Sequence, residues 1–185
     1  MTKNVILISV DDLVDVVRYR DAFGPKLKTP NIDRLMEMGV TFENAFTPVP
    51  ICGPARTSLL TGQSPFSNGI QHNHEGSITD IVSVKNTLFG AFHEAGFHSA
   101  ARGKMVHAKD EDAVKKWMAP AFDDVAKAGG YRTQGSDLFG HLGGGPARPE
   151  HEHTDARTAA WAANFLDGYT SNTPFFLSVG MSKPH

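Results

Sequence analysis

Asn4-Val5-Ile6-Leu7-Ile8-Ser9-Val10-Asp11-Asp12 decides the fold. The run is continuously apolar, rich in β-branched residues and closed by two carboxylates, the pattern of a buried strand rather than of an alternating, half-solvated one. It is too short to cross a bilayer. Downstream, Thr29-Pro30-Asn31-Ile32-Asp33-Arg34-Leu35-Met36-Glu37-Met38-Gly39 supplies an N-cap, a proline at the first helical position, spaced apolar residues and a closing glycine, which predict a helix. Val40 to Phe46 alternates as a strand would. A short loop then leads to a helix starting near Cys52, with Pro54 in its first turn and Gly62 near its end. A helix is expected from about Asn86 to Ala95, stopped by Gly96, then a strand from Phe97 to Ala101. Asp155 to Tyr169 has helical periodicity, and Pro174 to Gly180 has the character of another buried strand. Strands alternating with helices predict an α/β fold, a mostly parallel sheet flanked by helices. The polar stretch Gln63 to Asp80 and the glycine-rich stretch Gly129 to Pro149 are expected to be loops.

With 185 residues, 40% of them hydrophobic and 21% charged, the chain has the make-up of one ordinary domain. Eighteen basic against twenty acidic residues leave a net charge of -2, which offers no electrostatic attraction to nucleic acid or an anionic membrane. Neither is expected as a partner. The single cysteine excludes an intrachain disulfide. Met1-Thr2-Lys3-Asn4 carries no signal-peptide pattern, so the expected location is cytoplasmic by default, or periplasmic or secreted if a leader has been trimmed.

The residues able to do chemistry follow strands. In open parallel sheets ligands gather beyond the carboxyl ends of the strands, and Asp11-Asp12, Lys104 with His107, and Lys183 with His185 would all meet at that edge. Two adjacent carboxylates after a buried strand need compensation, by a hard cation such as calcium or magnesium or by hydrogen-bond donors in an acidic turn that caps a helix. Cys52 at a helix N-terminus would sit where backbone N–H groups favour an anion, while a free cysteine also serves as a small buried apolar residue. His151 and His153 suit a polar linker before a helix. His72 and His74 lie in a loop able to line a pocket, and His93, His98 and His141 show no spacing that carries a role.

The cysteine segment, Cys52-Gly53-Pro54-Ala55-Arg56-Thr57-Ser58-Leu59-Leu60-Thr61-Gly62, resembles the signature of the type I, formylglycine-dependent sulfatases of the alkaline-phosphatase-like superfamily. Cysteine, proline and arginine keep the family's Cys-x-Pro-x-Arg spacing, and Ala55 stands where serine is common. The likeness extends along the chain through NVILISVDDL, TPNIDRLMEMGVTFENAF, TGQSPFSNGI, Gly103-Lys104-Met105-Val106-His107 and PFFLSVGMSKPH. GKMVH and VGMSKPH look closest to the iduronate-2-sulfatase-like branch.

The resemblance implies that Cys52 is oxidised to formylglycine by a formylglycine-generating or anaerobic sulfatase-maturing enzyme. The aldehyde hydrate then offers two hydroxyls, one to attack sulfur and one to expel sulfate by regenerating the aldehyde. It also implies a divalent metal, Ca2+ before Mg2+, held by Asp11, Asp12 and residue 52. Arg56 would hold the reacting hydroxyl, Lys104 the sulfate, and His107 would take a proton during sulfate release. His185 would contact sulfate or protonate the leaving oxygen, with Lys183 beside it as a substrate contact. The expected substrate is a sulfated small molecule or sugar. The family's downstream Asp-Asn or Asp-His metal pair has no counterpart before His185, so residues 1–185 are expected to form the N-terminal part of the catalytic domain, with weak or no turnover alone. A phosphonate or phosphodiester hydrolase of the same superfamily and a degenerate, non-catalytic binding module are the alternatives.

Overall fold

The computed structural model describes residues 3–23, 27–108, 110–128 and 153–182. Four parallel strands, β1 (Val5–Val10), β2 (His98–Gly103), β3 (Asp124–Ala128) and β4 (Phe175–Met181), form one sheet in the order β1-β4-β2-β3. The α-helices among the described residues are α1 (Val16–Phe23), α2 (Pro30–Met38), α3 (Cys52–Thr61), α4 (Pro65–Asn68), α5 (Ile78–Ile81), α6 (Leu88–Glu94), α7 (Glu111–Met118) and α8 (Thr154–Gly168). None is long and apolar enough to cross a membrane. The α/β fold, with a mostly parallel sheet flanked by helices, is therefore the one expected.

β4 is central and buried on both faces, which is why its sequence is apolar without alternation. Phe176 points into a core with Leu60, Phe89, Val114, Met118 and Phe122. Phe175, Leu177 and Val179 point the other way, against Trp161, Phe165 and Tyr169 of α8 and the segment after it. β1, although equally apolar, is an edge strand among the described residues: Val5 and Leu7 pack on the first core while Ile6 and Ile8 are exposed.

Val40 to Phe46 is not a strand. The segment is irregular, and Val40, Phe42 and Phe46 are 81%, 78% and 81% exposed. Alternation marks two faces, but a strand also needs a neighbour to pair with, and none of the described strands lies beside this one. β3 takes the fourth place instead. Its Asp-Val-Ala-Lys-Ala sequence has little intrinsic strand character and is held by pairing with β2. The loop from Gln63 to Asp80 contains the one-turn helices α4 and α5. α7 carried a legible signal: the Asp110 carboxylate accepts from the Asp112 and Ala113 N–H groups, and Val114, Trp117 and Met118 recur at helical spacing. Thr29 precedes α2 as expected but does not cap it through its side chain, its hydroxyl being bonded to Asp33. Gly129 to Pro149 lies outside the described residues.

Two glycines let β2 and β4 meet at their carboxyl ends. Gly103 pairs with Gly180, has φ +91°, and a Cβ there would overlap the Gly180 carbonyl; a Cβ on Gly180 would overlap the Lys104 carbonyl. The Lys104 N–H donates to the Gly180 carbonyl at 3.0 Å, so this contact sets where Lys104 leaves the sheet. Gly180→Ala is expected to cost about 2–4 kcal/mol, because backbone rather than a flexible side chain must move. Urea denaturation with an unchanged m-value checks this; a loss below about 0.5 kcal/mol would show that the strands can part without penalty.

Candidate active site

β1 delivers Asp11 to the carboxyl edge of the sheet, its N–H continuing the ladder by donating to the Met181 carbonyl at 3.2 Å. Asp12 then adopts φ 52°, a left-handed conformation that aspartate tolerates better than most residues. This breaks the strand's alternation, so the neighbouring carboxylates converge instead of pointing apart. Asp15 accepts from the Val17 and Arg18 N–H groups and starts α1. The acidic pair itself is not that cap.

α3 brings two groups to the carboxylates. Cys52 is its first residue, and Cys52 Sγ lies 3.7 Å from Asp11 Oδ2. Arg56, one turn on and buried, donates from Nη2 to Asp11 Oδ1 at 2.9 Å and from Nη1 to Ser9 Oγ at 3.0 Å and the Lys104 carbonyl at 2.6 Å. Lys104, 2% exposed, bonds the other oxygen of Asp11. One buried carboxylate thus accepts from two buried cations. Burial opposes its charge, but hydrogen bonds from Lys104 and Arg56 outweigh that and hold the Asp11 carboxyl below its usual range.

Ligand atoms of Asp11, Asp12 and Cys52 all lie within 4.8 Å of one another, the geometry of a partial metal shell. Two carboxylates are hard oxygen donors suited to Ca2+ or Mg2+, which take six or more oxygens, and a thiol is the mismatched third member. The thiolate form of Cys52 is also disfavoured here. Burial raises its pKa, and Asp11 and Asp12 raise it further against an opposing pull from Lys104. An oxygen at residue 52 suits this pocket better than sulfur. A cavity of about 660 Å³ opens over Asp11, Asp12, Cys52 and Arg56, walled by Phe46 and Leu59.

His107 follows Lys104 around the same turn and comes to the first turn of α3, its Cδ2 being 3.7 Å from where a Cβ on Gly53 would stand. It lines a second cavity of about 340 Å³ with Asn73, His74, Asp80 and Asp110. His72 and His74 stack with ring centroids 5.4 Å apart, and only His74 lines this cavity. His98 pairs with Asp123 at 3.6 Å and stacks on Phe165, away from the cluster. His153 immediately precedes α8, as a linker residue would. Lys183 and His185, together with His141 and His151, lie outside the described residues. Sequence reasoning missed Ser9, whose signal was a hydroxyl in an otherwise apolar strand, and Asn73, which had no signal.

The Sulfatase family model matches residues 3–185, and the chain belongs to that family. It is 31% identical to human iduronate 2-sulfatase over 98% of its own length and 35% of that protein's. It is 29% identical to a sulfatase of Formosa agariphila, covering 98% of this chain and 39% of the relative. The crystal structure of Ps i-CgsB in complex with k-i-k-neocarrahexaose superposes with a TM-score of 0.71 at 25% identity, over 100% of this chain and 46% of that one. The chain therefore spans less than half the length of these relatives. The alkaline-phosphatase-like fold and the kinship with iduronate 2-sulfatases are those the motifs implied.

Proposed function

We propose that the protein to which this chain belongs hydrolyses a sulfate ester, with a sulfated sugar as substrate class, at residue 52. The observation that carries this is the convergence of Asp11, Asp12, Cys52, Arg56 and Lys104 at one edge of the sheet. The relative named as an iduronate 2-sulfatase supports the substrate class. When present, the formylglycine hydrate supplies a hard oxygen nucleophile and the divalent metal supplies Lewis acidity toward sulfate.

The chain's own side chains do the rest. Asp11, Asp12 and residue 52 would hold the metal. Arg56 and Lys104 fix the Asp11 carboxylate from both sides, so it need not reorganise when a cation binds, and Lys104 adds positive charge beside residue 52 for an anionic substrate. His107, beside Gly53, would take a proton from residue 52, and His185 would donate one to the leaving oxygen. Lys183 would contact the substrate.

Coexpression with a formylglycine-generating enzyme, mass spectrometry of the peptide containing residue 52, and assay on aryl sulfates and aryl phosphonates in parallel test this reading on the full-length protein. An aldehyde with sulfatase turnover is expected. An aldehyde with phosphonate turnover alone would transfer the assignment to the phosphonate hydrolases, and an unmodified thiol would favour a non-catalytic module. Independently of turnover, Ca2+ at about 100 times its Kd should stabilise the full-length protein by about 2.7 kcal/mol, and Asp12→Asn should remove the effect. A melting temperature indifferent to Ca2+, Mg2+ and EDTA would count against the metal site.

A further inference from the structure

We infer that Asn73 is a positioning residue for residue 52: it caps α3 from outside the helix and fixes where that side chain stands beside the Asp11-Asp12 pair. The inference rests on the reading of residue 52 as the reacting group.

α3 begins without a cap of its own. Ile51 occupies the N-cap position and offers no side-chain acceptor. Ala55 N–H already donates to the Ile51 carbonyl at 2.9 Å, and Pro54 has no N–H. That leaves the Cys52 and Gly53 N–H groups, and Asn73 Oδ1 accepts from Gly53 at 2.8 Å. This is the bond that an Asn, Ser or Asp at the N-cap would make to the second helical residue, supplied here from a loop 20 residues away. It also narrows the picture of an anion-binding helix terminus, because one first-turn donor is spent and another does not exist.

The loop is built to hold that acceptor in place. Ile70, 2% exposed, anchors it, and the Glu75 carboxylate accepts from the Gln71 N–H at 2.6 Å and the His72 N–H at 2.8 Å. The glycine between Cys52 and Pro54 fits the same contact. A Cβ there would stand 2.8 Å from Asn73 Oδ1 and 3.7 Å from His107 Cδ2, so a side chain at residue 53 would displace the cap while only touching the histidine. The cap thus ties the loop of Asn73 to the first turn of α3, next to the turn carrying His107. Loss of a helix cap moves a local opening equilibrium by about fivefold, enough to misplace a reacting atom held by one turn of helix.

The test uses the full chain with Cys52 unconverted. In Asn73→Ala, alkylation of Cys52 by iodoacetamide should accelerate about fivefold. Amide exchange should accelerate in the first turn of α3 but not in β4. Asn73→Asp, which keeps the acceptor, should return both readouts to within about twofold of wild type. An unchanged alkylation rate, equal acceleration of exchange in β4, or failure of Asn73→Asp to restore them would overturn the inference. In the aldehyde-bearing full-length enzyme, Asn73→Ala should lower kcat about tenfold or more with KM within about twofold. If that wild-type enzyme lacks sulfatase turnover, the functional reading fails, while alkylation and exchange still decide the role of Asn73.

Discussion

Asp11→Asn is expected to destabilise the chain by about 3–5 kcal/mol in the absence of divalent metal, because it leaves two buried cations facing a neutral amide. Lys104 is 2% and Arg56 6% exposed, so neither can recover its charge partner from bulk water. The lost Coulombic and hydrogen-bond energy therefore exceeds the gain from burying a less polar group. Set against a typical stability of about 5–15 kcal/mol, this is a large share, and a chain of this size should lose about 10–15 °C in melting temperature. Asp12→Asn is the matched comparison. Asp12 is exposed and asparagine tolerates its positive φ, so the same loss of charge should cost under about 1 kcal/mol. Thermal melts of the two variants in EDTA separate the cases, and equal losses would show that Asp11 does not organise Lys104 and Arg56. Acid has the corresponding effect: with its folded-state pKa lowered, Asp11 contributes its full stabilisation above the ordinary carboxylate range and loses it as pH falls through the folded-state value.

Cys52→Ala should abolish sulfatase turnover in the full-length, maturation-competent protein, a fall of about 10³-fold or more, while changing stability by about 1 kcal/mol or less. The asymmetry follows from the geometry. The thiol is half-buried and its polar contact to Asp11, at 3.7 Å, is a weak one, so little packing depends on it. Its charged neighbours are Asp11, Asp12 and Lys104. Protein expressed without a maturation enzyme should be as inactive as Cys52→Ala, because burial and the two carboxylates disfavour a thiolate. Steady-state assay on an aryl sulfate against thermal melts checks both statements, and a variant that keeps about a tenth of wild-type turnover would remove residue 52 from the reaction.

The strands and helices with strong patterns were legible because their patterns are local. Asn4 to Val10, Pro174 to Gly180 and Thr29 to Gly39 each carry their own period and stops, and each forms within a residue or two of where it was expected. The failures concern pairing. Val40 to Phe46 has the better strand sequence and is irregular, whereas Asp124 to Ala128 has a poor one and is β3, because β2 offers the latter a partner. Partner availability is a property of the sheet, not of either segment.

The candidate site divides in the same way. Sequence alone singled out the candidate residues, since the Asp11-Asp12 pair, the Cys52-Gly53-Pro54-Ala55-Arg56 spacing and Gly103-Lys104-Met105-Val106-His107 are contiguous motifs that can be read without coordinates. Only the tertiary structure decided how they engage one another. Asp12 had to turn into a positive φ for the carboxylates to converge, Gly103 and Gly180 had to meet for Lys104 to reach Asp11, and Arg56 had to be buried for one carboxylate to hold two cations. Asn73 belongs wholly to that second category. Its bond to Gly53 joins a loop to a helix across 20 residues, and a single hydrogen bond over that distance leaves no period, spacing or composition in the chain to read.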